Sequence, residues 1–381
     1  MHQLKSKLPH IGRTIFTKMS QLAQEHQAIN LSQGFPNFMP DKELIKYSED
    51  ALNSHRNQYA PLGGLPELRQ KLSDKFYNLY HHRYDWESEI TITAGATQAI
   101  FTAISALVHR DDEVIVFKPA YDCYEPAVEL YGGIVKPIQL DAPEYKIPWD
   151  KVKDLISDNT KLIIINTPHN PTGYVWTEED FKQLKAVVKD TSTYILSDEV
   201  YEHMVFDDRK HHSICKEEEL ARRSIVTFSF GKTYHVTGWK LGYAVAPKAM
   251  MKEFRKVHQY NVFCVNHPLQ FALSKILDQP EHYLNLSKFY QQKRDRFLSL
   301  IKNSRFKCVP TQGTYFQLAD YTEISDLPDN EFCIELIKTH KLATIPVSVF
   351  NHKNIQQGYI RFCFAKTDET LEQAANIIKN I

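Results

Sequence analysis

The chain has 381 residues, enough for two or three structural units at roughly 150 residues each and enough to bury a core without disulfide staples. Its 46 basic and 46 acidic side chains cancel, so no global attraction to a phosphate backbone or an acidic lipid surface is built in, and nucleic acid is not the expected partner. At 43% hydrophobic and 24% charged, the composition is that of a soluble globular protein and excludes disordered and fibrous classes.

From the N-terminus, Met1-His-Gln-Leu-Lys-Ser-Lys-Leu-Pro9 lacks the continuous apolar core of a signal peptide, which points to a cytoplasmic protein. The six cysteines, at 123, 215, 264, 308, 333 and 363, contain no Cys-x-x-Cys pair and read as reduced thiols, with no metal site expected. A helix is predicted over Ile15–Gln27, followed by the irregular Leu31-Ser-Gln-Gly-Phe-Pro-Asn-Phe-Met-Pro40. This is too little to fold alone and is expected to pack with the C-terminal end.

Short β-rich runs then alternate with amphipathic segments, the pattern of βα units on a mainly parallel sheet. Strands are predicted at Ile90–Thr93, Val114–Phe117, Lys161–Asn166, Tyr194–Asp198, Ser224–Phe230 and Leu241–Ala246, with helices between them, among them Glu178–Val188 and Met250–Val257. Ile90–His109 has the length of a membrane span and no formal charge, but four threonines, a Gln, a Ser and the division at Gly95 argue against that reading. Beyond about residue 275 the pattern changes to a long polar helix over His282–Lys302, strands at Phe306–Val309, Thr314–Leu318 and Tyr359–Phe364, and a helix near Asn330–His340. The expected division is a large α/β domain over residues 46–278 and a small α+β domain from residues 1–45 plus 279–381.

The unusual residues fall just past the predicted strand ends, where open α/β sheets place ligands. In Ala94-Gly-Ala-Thr-Gln98, the free amides of a helix start and the Thr97 hydroxyl suit a phosphate; a glycine turn with a threonine cap is the plainer reading. Asn166-Thr-Pro-His-Asn170-Pro-Thr-Gly173 makes a sharp turn after an apolar strand, and Asp198 ends a buried strand with a carboxylate that needs a cation or donor. Lys232, in Ser229-Phe-Gly-Lys232-Thr-Tyr-His-Val-Thr-Gly-Trp-Lys240, directly follows a strand and a glycine, so desolvation would make it a nucleophilic amine able to form an imine. Ser229-x-x-Lys232 also matches the nucleophile motif of penicillin-recognising serine enzymes, but the companion motifs are missing or out of order.

Taken in order, these motifs resemble the fold-type I, pyridoxal-phosphate-dependent class I aminotransferases. The likeness runs from Ser32-Gln-Gly-Phe-Pro36 through Asn57-Gln-Tyr-Ala-Pro61, Ala94-Gly-Ala-Thr97, Pro119-Ala-Tyr-Asp122, Asn170-Pro-Thr-Gly173, Ser197-Asp-Glu-Val-Tyr-Glu202, Ser229-Phe-Gly-Lys232 and Gly238-Trp-Lys-Leu-Gly242 to Arg361. Within the family, Thr167-Pro-His-Asn-Pro, Gly231-Lys-Thr-Tyr-His and Val257-His-Gln-Tyr look most like the bacterial methionine aminotransferases of the kynurenine and glutamine-phenylpyruvate branch.

The resemblance implies a seven-stranded sheet and a pyridoxal 5'-phosphate cofactor held by Lys232 as a Schiff base. Lys232 would also move the substrate proton, Asp198 would pair with the pyridinium nitrogen, and Asn170 and Tyr201 would bond the phenolic oxygen. Tyr121 would stack on the ring, while Gly95, Ala96, Thr97, Ser229 and Lys240 would hold the phosphate. Tyr59 would reach the phosphate from the partner subunit of a homodimer. Lys240 stands where many relatives carry Arg and lacks the bidentate fork. Arg361, with Gly34 and Asn170, would grip the substrate carboxylate. Ile15, Phe16, Tyr59, Tyr121 and the partner's Tyr260-Asn-Val-Phe263 would wall an apolar side-chain pocket, suited first to methionine and then to phenylalanine, tyrosine, glutamine or kynurenine, with a 2-oxo acid as acceptor. A β-lyase on the same scaffold is the alternative activity. Transcription regulators of this fold carry a separate DNA-binding domain, for which the residues before Leu31 leave no room.

Overall fold

The computed structural model describes residues 5–381; residues 1–4, where the signal-peptide reading and the expected small domain begin, lie outside that range. Its strands are β1 (Ile29–Asn30), β2 (Ile90–Thr93), β3 (Glu113–Lys118), β4 (Ile134–Gln139), β5 (Thr160–Asn166), β6 (Tyr194–Asp198), β7 (Ser224–Ser229), β8 (Gly242–Val245), β9 (Phe316–Asp320), β10 (Leu342–Ala343), β11 (Ile345–Pro346) and β12 (Tyr359–Cys363). Seven of them form one sheet in the order β2-β8-β7-β6-β5-β3-β4, parallel except at β8, which runs antiparallel to β2 and β7.

Alternate residues of these strands enter two different cores. Ile115, Ile163, Ile165, Ile195 and Val226 pack on one face; Val114, Val116, Leu162, Ile164, Leu196 and Ile225 pack on the other. With both faces covered, every position must be apolar, which is why Leu162–Ile165 reads as an unbroken hydrophobic run. β4 escaped the sequence reading because it is a half-exposed edge strand containing Pro137 and pairing only with β3.

Four helices open the chain: α1 (Ile15–Glu25), α2 (Lys42–Leu52), α3 (Pro66–Tyr80) and α4 (Gly95–Leu107). The charge-free stretch Ile90–His109 is β2 followed by α4, and among the described residues no helix is long and apolar enough to cross a membrane.

A third core joins the two chain ends. Met19 and Ala23 of α1 pack with Phe297, Leu336, Phe362 and Leu371, and β1 pairs in parallel with β10. The backbone continues this seam, with Leu31 N–H donating to Ala343 and Cys363 N–H to Leu31. β11, β12 and β9 form a separate antiparallel sheet in that order.

Several expected boundaries differ here. The long polar helix is two helices, Glu281–Leu284 and Leu286–Ile301, divided at Asn285. Phe306–Val309 contributes only a bridge between Lys307 and Asp320, not a strand. The strand expected at Thr314–Leu318 begins two residues later, because Thr314 has φ 66° and turns its hydroxyl to the Phe316 N–H. β7 ends at Ser229, since Phe230 opens a one-turn helix.

Candidate active site

The carboxyl ends of β5, β6 and β7 and the start of α4 converge on a cavity of about 340 Å³. Gly95, Ala96, Thr97, Tyr121, Asn170, Asp198, Tyr201, Ser229, Lys232 and Lys240 line it from the sheet side, and Phe16, Gly34 and Arg361 from the chain-end side. Thirteen residues singled out in the sequence thus face one space.

At one end, α4 starts at Gly95 with φ 77° and no side-chain cap, so its first amides are free. Lys240, itself at φ 52°, places its ammonium 3.5 Å from where a Gly95 Cβ would stand. A Cβ on Gly242 would lie 2.5 Å from the Phe228 carbonyl and 2.9 Å from the Ala96 nitrogen. Glycine at 242 therefore lets β8 approach the helix start. Free amides beside a lysine make an anion cradle, and the hydroxyl residues Thr97, Thr237 and Ser229 are among those that line the same cavity.

Lys232 sits on the one-turn helix Phe230–Thr233 directly after β7. Its Nζ donates to Tyr315 Oη at 2.7 Å and to the Gly34 carbonyl at 3.1 Å, and lies 5.5 Å from the Tyr201 ring centroid. Burial pushes its ammonium down to about 8, helped by the positive charges of Arg361 and Lys240 and opposed by Cys363 and Asp198. Asp198 moves the other way: burial raises its carboxyl to about 6, against hydrogen bonds from Tyr124 Oη at 2.6 Å and Val200 N–H at 3.3 Å. Burial likewise raises the Tyr201 phenol.

The loops carrying these groups are tied together. Asn166 donates from Nδ2 to the Asp198 carbonyl and accepts the Asn170 N–H at Oδ1, each at 2.8 Å. Behind the cavity, Glu202 pairs with Lys75 at 2.5 Å and Glu199 pairs with His211 at 2.8 Å, which holds the Asp198–Tyr201 turn from its buried side.

Arg361 on β12 is 1% exposed and stacks on Phe316, with its guanidinium carbon 3.8 Å from the ring centroid. Nη1 donates to Asn170 Oδ1 at 2.7 Å and Nη2 to the Ser32 carbonyl at 3.3 Å, while the buried Nε has no partner among the described residues. A planar cation with unspent donors at a cavity wall suits a carboxylate.

Tyr59 and Phe263, by contrast, do not line this cavity. They are 82% and 44% exposed, meet edge to face at 5.3 Å, and lie on the outer surface with Tyr260. Ile15 packs into the chain-end core instead of the cavity. Tyr124, Tyr315, Asn166, Gln33, Phe35, Thr237 and Phe316 were not among the expected site residues; Tyr124 lies two residues past the Pro119–Asp122 motif, close enough to carry a signal, whereas Tyr315 read only as part of a strand.

Residues 26–378 match the family described as aminotransferase class I and II. Methionine aminotransferase of Escherichia coli K12 is 47% identical over 378 residues, covering 99% of this chain and 98% of that protein. Kynurenine–oxoglutarate transaminase 3 of Homo sapiens is 35% identical, covering 98% of this chain and 89% of that protein. A crystal structure of an Escherichia coli protein with methionine aminotransferase function superposes with a TM-score of 0.98 at 47% identity, covering all of both chains. By its motifs, its fold and these likenesses, the chain belongs to the class I and II aminotransferases.

Proposed function

We propose that this aminotransferase takes methionine as its preferred amino donor, accepts aromatic and other neutral amino acids less well, and returns the amino group to a 2-oxo acid in a second half-reaction. The observation that carries the reading is the composition of the cavity. The cations among its lining residues are Lys232, Lys240 and Arg361. If these serve the cofactor aldehyde, the phosphate and the α-carboxylate, none is left for a second substrate carboxylate, and the space beyond Arg361 is bounded by Phe16, Phe35 and Phe316. The 47% identical methionine aminotransferase supports the same substrate.

The family depends on pyridoxal phosphate, and the residues present fit it: an uncapped helix start beside Lys240 for the phosphate, a low-pKa lysine for the aldehyde, and a buried carboxylate for the ring nitrogen. When bound, the cofactor supplies an electron sink for the pair left at Cα. Asp198 would hold the ring nitrogen's proton, Asn170 and Tyr201 would orient the ring oxygen, and Tyr121 would cover one ring face. Arg361 would fix the carboxylate so that the Cα–H bond points at Lys232, whose Nζ takes that proton and returns it. Phe16, Phe35 and Phe316 would exclude water during the transfer.

The reading includes a homodimer, supported by the exposed pair Tyr59–Phe263, whose apolar surface needs cover. It also includes a large domain over residues 46–278, a small domain from both chain ends, and a cytosolic setting consistent with six free thiols. One pocket of this kind separates side chains by about 1–3 kcal/mol per methylene, so breadth is expected.

Purified holoenzyme mixed with methionine and no acceptor should lose the absorbance of the bound cofactor aldehyde and release one equivalent of 2-oxo acid. Turnover of aspartate above methionine would overturn the substrate assignment, and pyruvate and ammonia released from cystathionine without acceptor would mark elimination instead.

A further inference from the structure

Four consecutive main-chain carbonyls, Ser32 to Phe35, each accept a hydrogen bond from a buried cation. Ser32 accepts from Arg361 Nη2 at 3.3 Å, Gln33 from Lys366 Nζ at 3.2 Å, Gly34 from Lys232 Nζ at 3.1 Å, and Phe35 from Lys366 Nζ at 2.7 Å. Arg361 and Lys232 have roles in the site, whereas Lys366 does not line the cavity. It is 3% exposed and pairs with no carboxylate among the described residues; its ammonium also lies 5.1 Å from the Phe35 ring centroid. A buried ammonium satisfied only by neutral carbonyls is costly, so its bonds must hold something in place.

What they hold is the segment over the chain-end side of the cavity, which Gln33, Gly34 and Phe35 line. The neighbours of Lys366 extend the grip: Thr367 N–H donates to Asn37 Oδ1 at 2.7 Å, and Asn37 Nδ2 donates to Thr370 Oγ1 at 2.9 Å. This clasp is itself anchored, because Lys293 Nζ donates to the Lys366 carbonyl at 2.9 Å and to Asp368 at 3.2 Å. Ligands that engage Lys232 and Arg361 compete for two of the donors now holding Gly34 and Ser32, leaving Tyr315 Oη on the Gly34 carbonyl. The two bonds from Lys366 lie outside the cavity and face no such competition.

We propose that Lys366 is a positioning residue: it fixes Gln33–Phe35 against the substrate side of the cavity when ligands occupy Lys232 and Arg361. The assignment rests on the reading of that cavity as the amino-acid site. Its substrate-facing consequence is a tighter fit around the α-carboxylate and first side-chain carbons, with little effect on the proton transfer itself.

The test compares holoenzyme carrying Lys366→Met, Lys366→Gln or Lys366→Arg with the unaltered protein. Amide hydrogen exchange over residues 31–37 and at Thr367, where the Leu31, Ser32 and Thr367 N–H groups are hydrogen-bonded, the dissociation constant of 4-(methylsulfanyl)butanoate, which has methionine's skeleton without its amine, and kcat and KM for methionine are measured. For Lys366→Met we expect exchange over this segment, the butanoate dissociation constant and KM each to rise about tenfold, with kcat and the cofactor absorbance little changed and with Lys366→Arg restoring most of the loss. Unchanged exchange over residues 31–37 and at Thr367, or faster exchange spread evenly over the chain without rescue by arginine, would overturn the proposal. Should the unaltered holoenzyme turn over no amino acid, the cavity reading fails by itself and the exchange comparison still decides the clasp. If Lys366→Met does not fold, Lys366→Gln carries the same measurements.

Discussion

Tyr124 donates its hydroxyl to Asp198 Oδ2 at 2.6 Å, across 74 residues of sequence, and both side chains are buried. This bond stabilises the ionised carboxylate that burial otherwise disfavours. In Tyr124→Phe the ring still fills its place, but the carboxyl loses a donor and moves above about 6. Methionine turnover should fall about tenfold at neutral pH, and further as the pH drops from 8 to 6. The pH profile of kcat/KM checks this; a profile matching that of the unaltered enzyme would remove Tyr124 from the mechanism.

Arg361→Lys keeps one positive charge but loses both the fork and the stack on Phe316. We expect kcat/KM for methionine to drop about 10–100-fold, mainly through KM, from the loss of a charge-assisted bidentate contact. A drop confined to kcat would place Arg361 elsewhere in the reaction.

Gly34→Ala tests the same wall from the other side. The added Cβ would stand 2.8 Å from a ring carbon of Phe316, whose face supports Arg361. Moving that ring costs about 1–3 kcal/mol, taken from binding, from stability or from both. A raised KM for every amino acid is expected, and the melting temperature measured alongside divides the effect between the two.

Lys232 has a sharper pH signature. Its ammonium, ordinarily near 10.5, is lowered to about 8, so in the cofactor-free protein the free amine at pH 7 is roughly 300 times more abundant than on an ordinary lysine. Capture of pyridoxal phosphate, fixed by borohydride and mapped by mass spectrometry, should occur at residue 232 and accelerate with pH up to a plateau above about 8. The stability sign follows from the same shift. Between about 8 and 10.5 the unfolded chain binds this proton and the folded chain does not, so stability from this group rises with pH through that window. A label at another lysine would refute the assignment.

The outward-facing Tyr59 gives a complementation test. If it serves the partner's site, hybrids of Lys232→Ala and Tyr59→Ala subunits contain one site with both residues intact. Mixed, co-refolded protein should then recover activity that neither parent shows. No recovery would place Tyr59 outside the site.

The sequence by itself determined where β2, β5 and β6 end and which residues gather there. Unbroken apolar runs such as Leu162–Ile165 arise because both sheet faces are buried, and Asn166, Asp198 and Ser229 interrupt them at the strand ends, where the chain leaves the core. Lys232, just beyond Ser229, and the motif order that revealed the family were legible for the same reason: the chemistry follows strand ends in chain order.

Only the tertiary structure decided the partners. Lys232 meets Tyr315 over 83 residues and Gly34 over 198, and Arg361 meets Asn170 over 191, distances at which local periodicity carries no information. The edge strand β4, with its proline and half-exposed faces, produced no hydrophobic period to detect. Lys366 was equally silent, because a lysine in sequence reads as solvated until the fold closes over it and leaves backbone carbonyls as its acceptors.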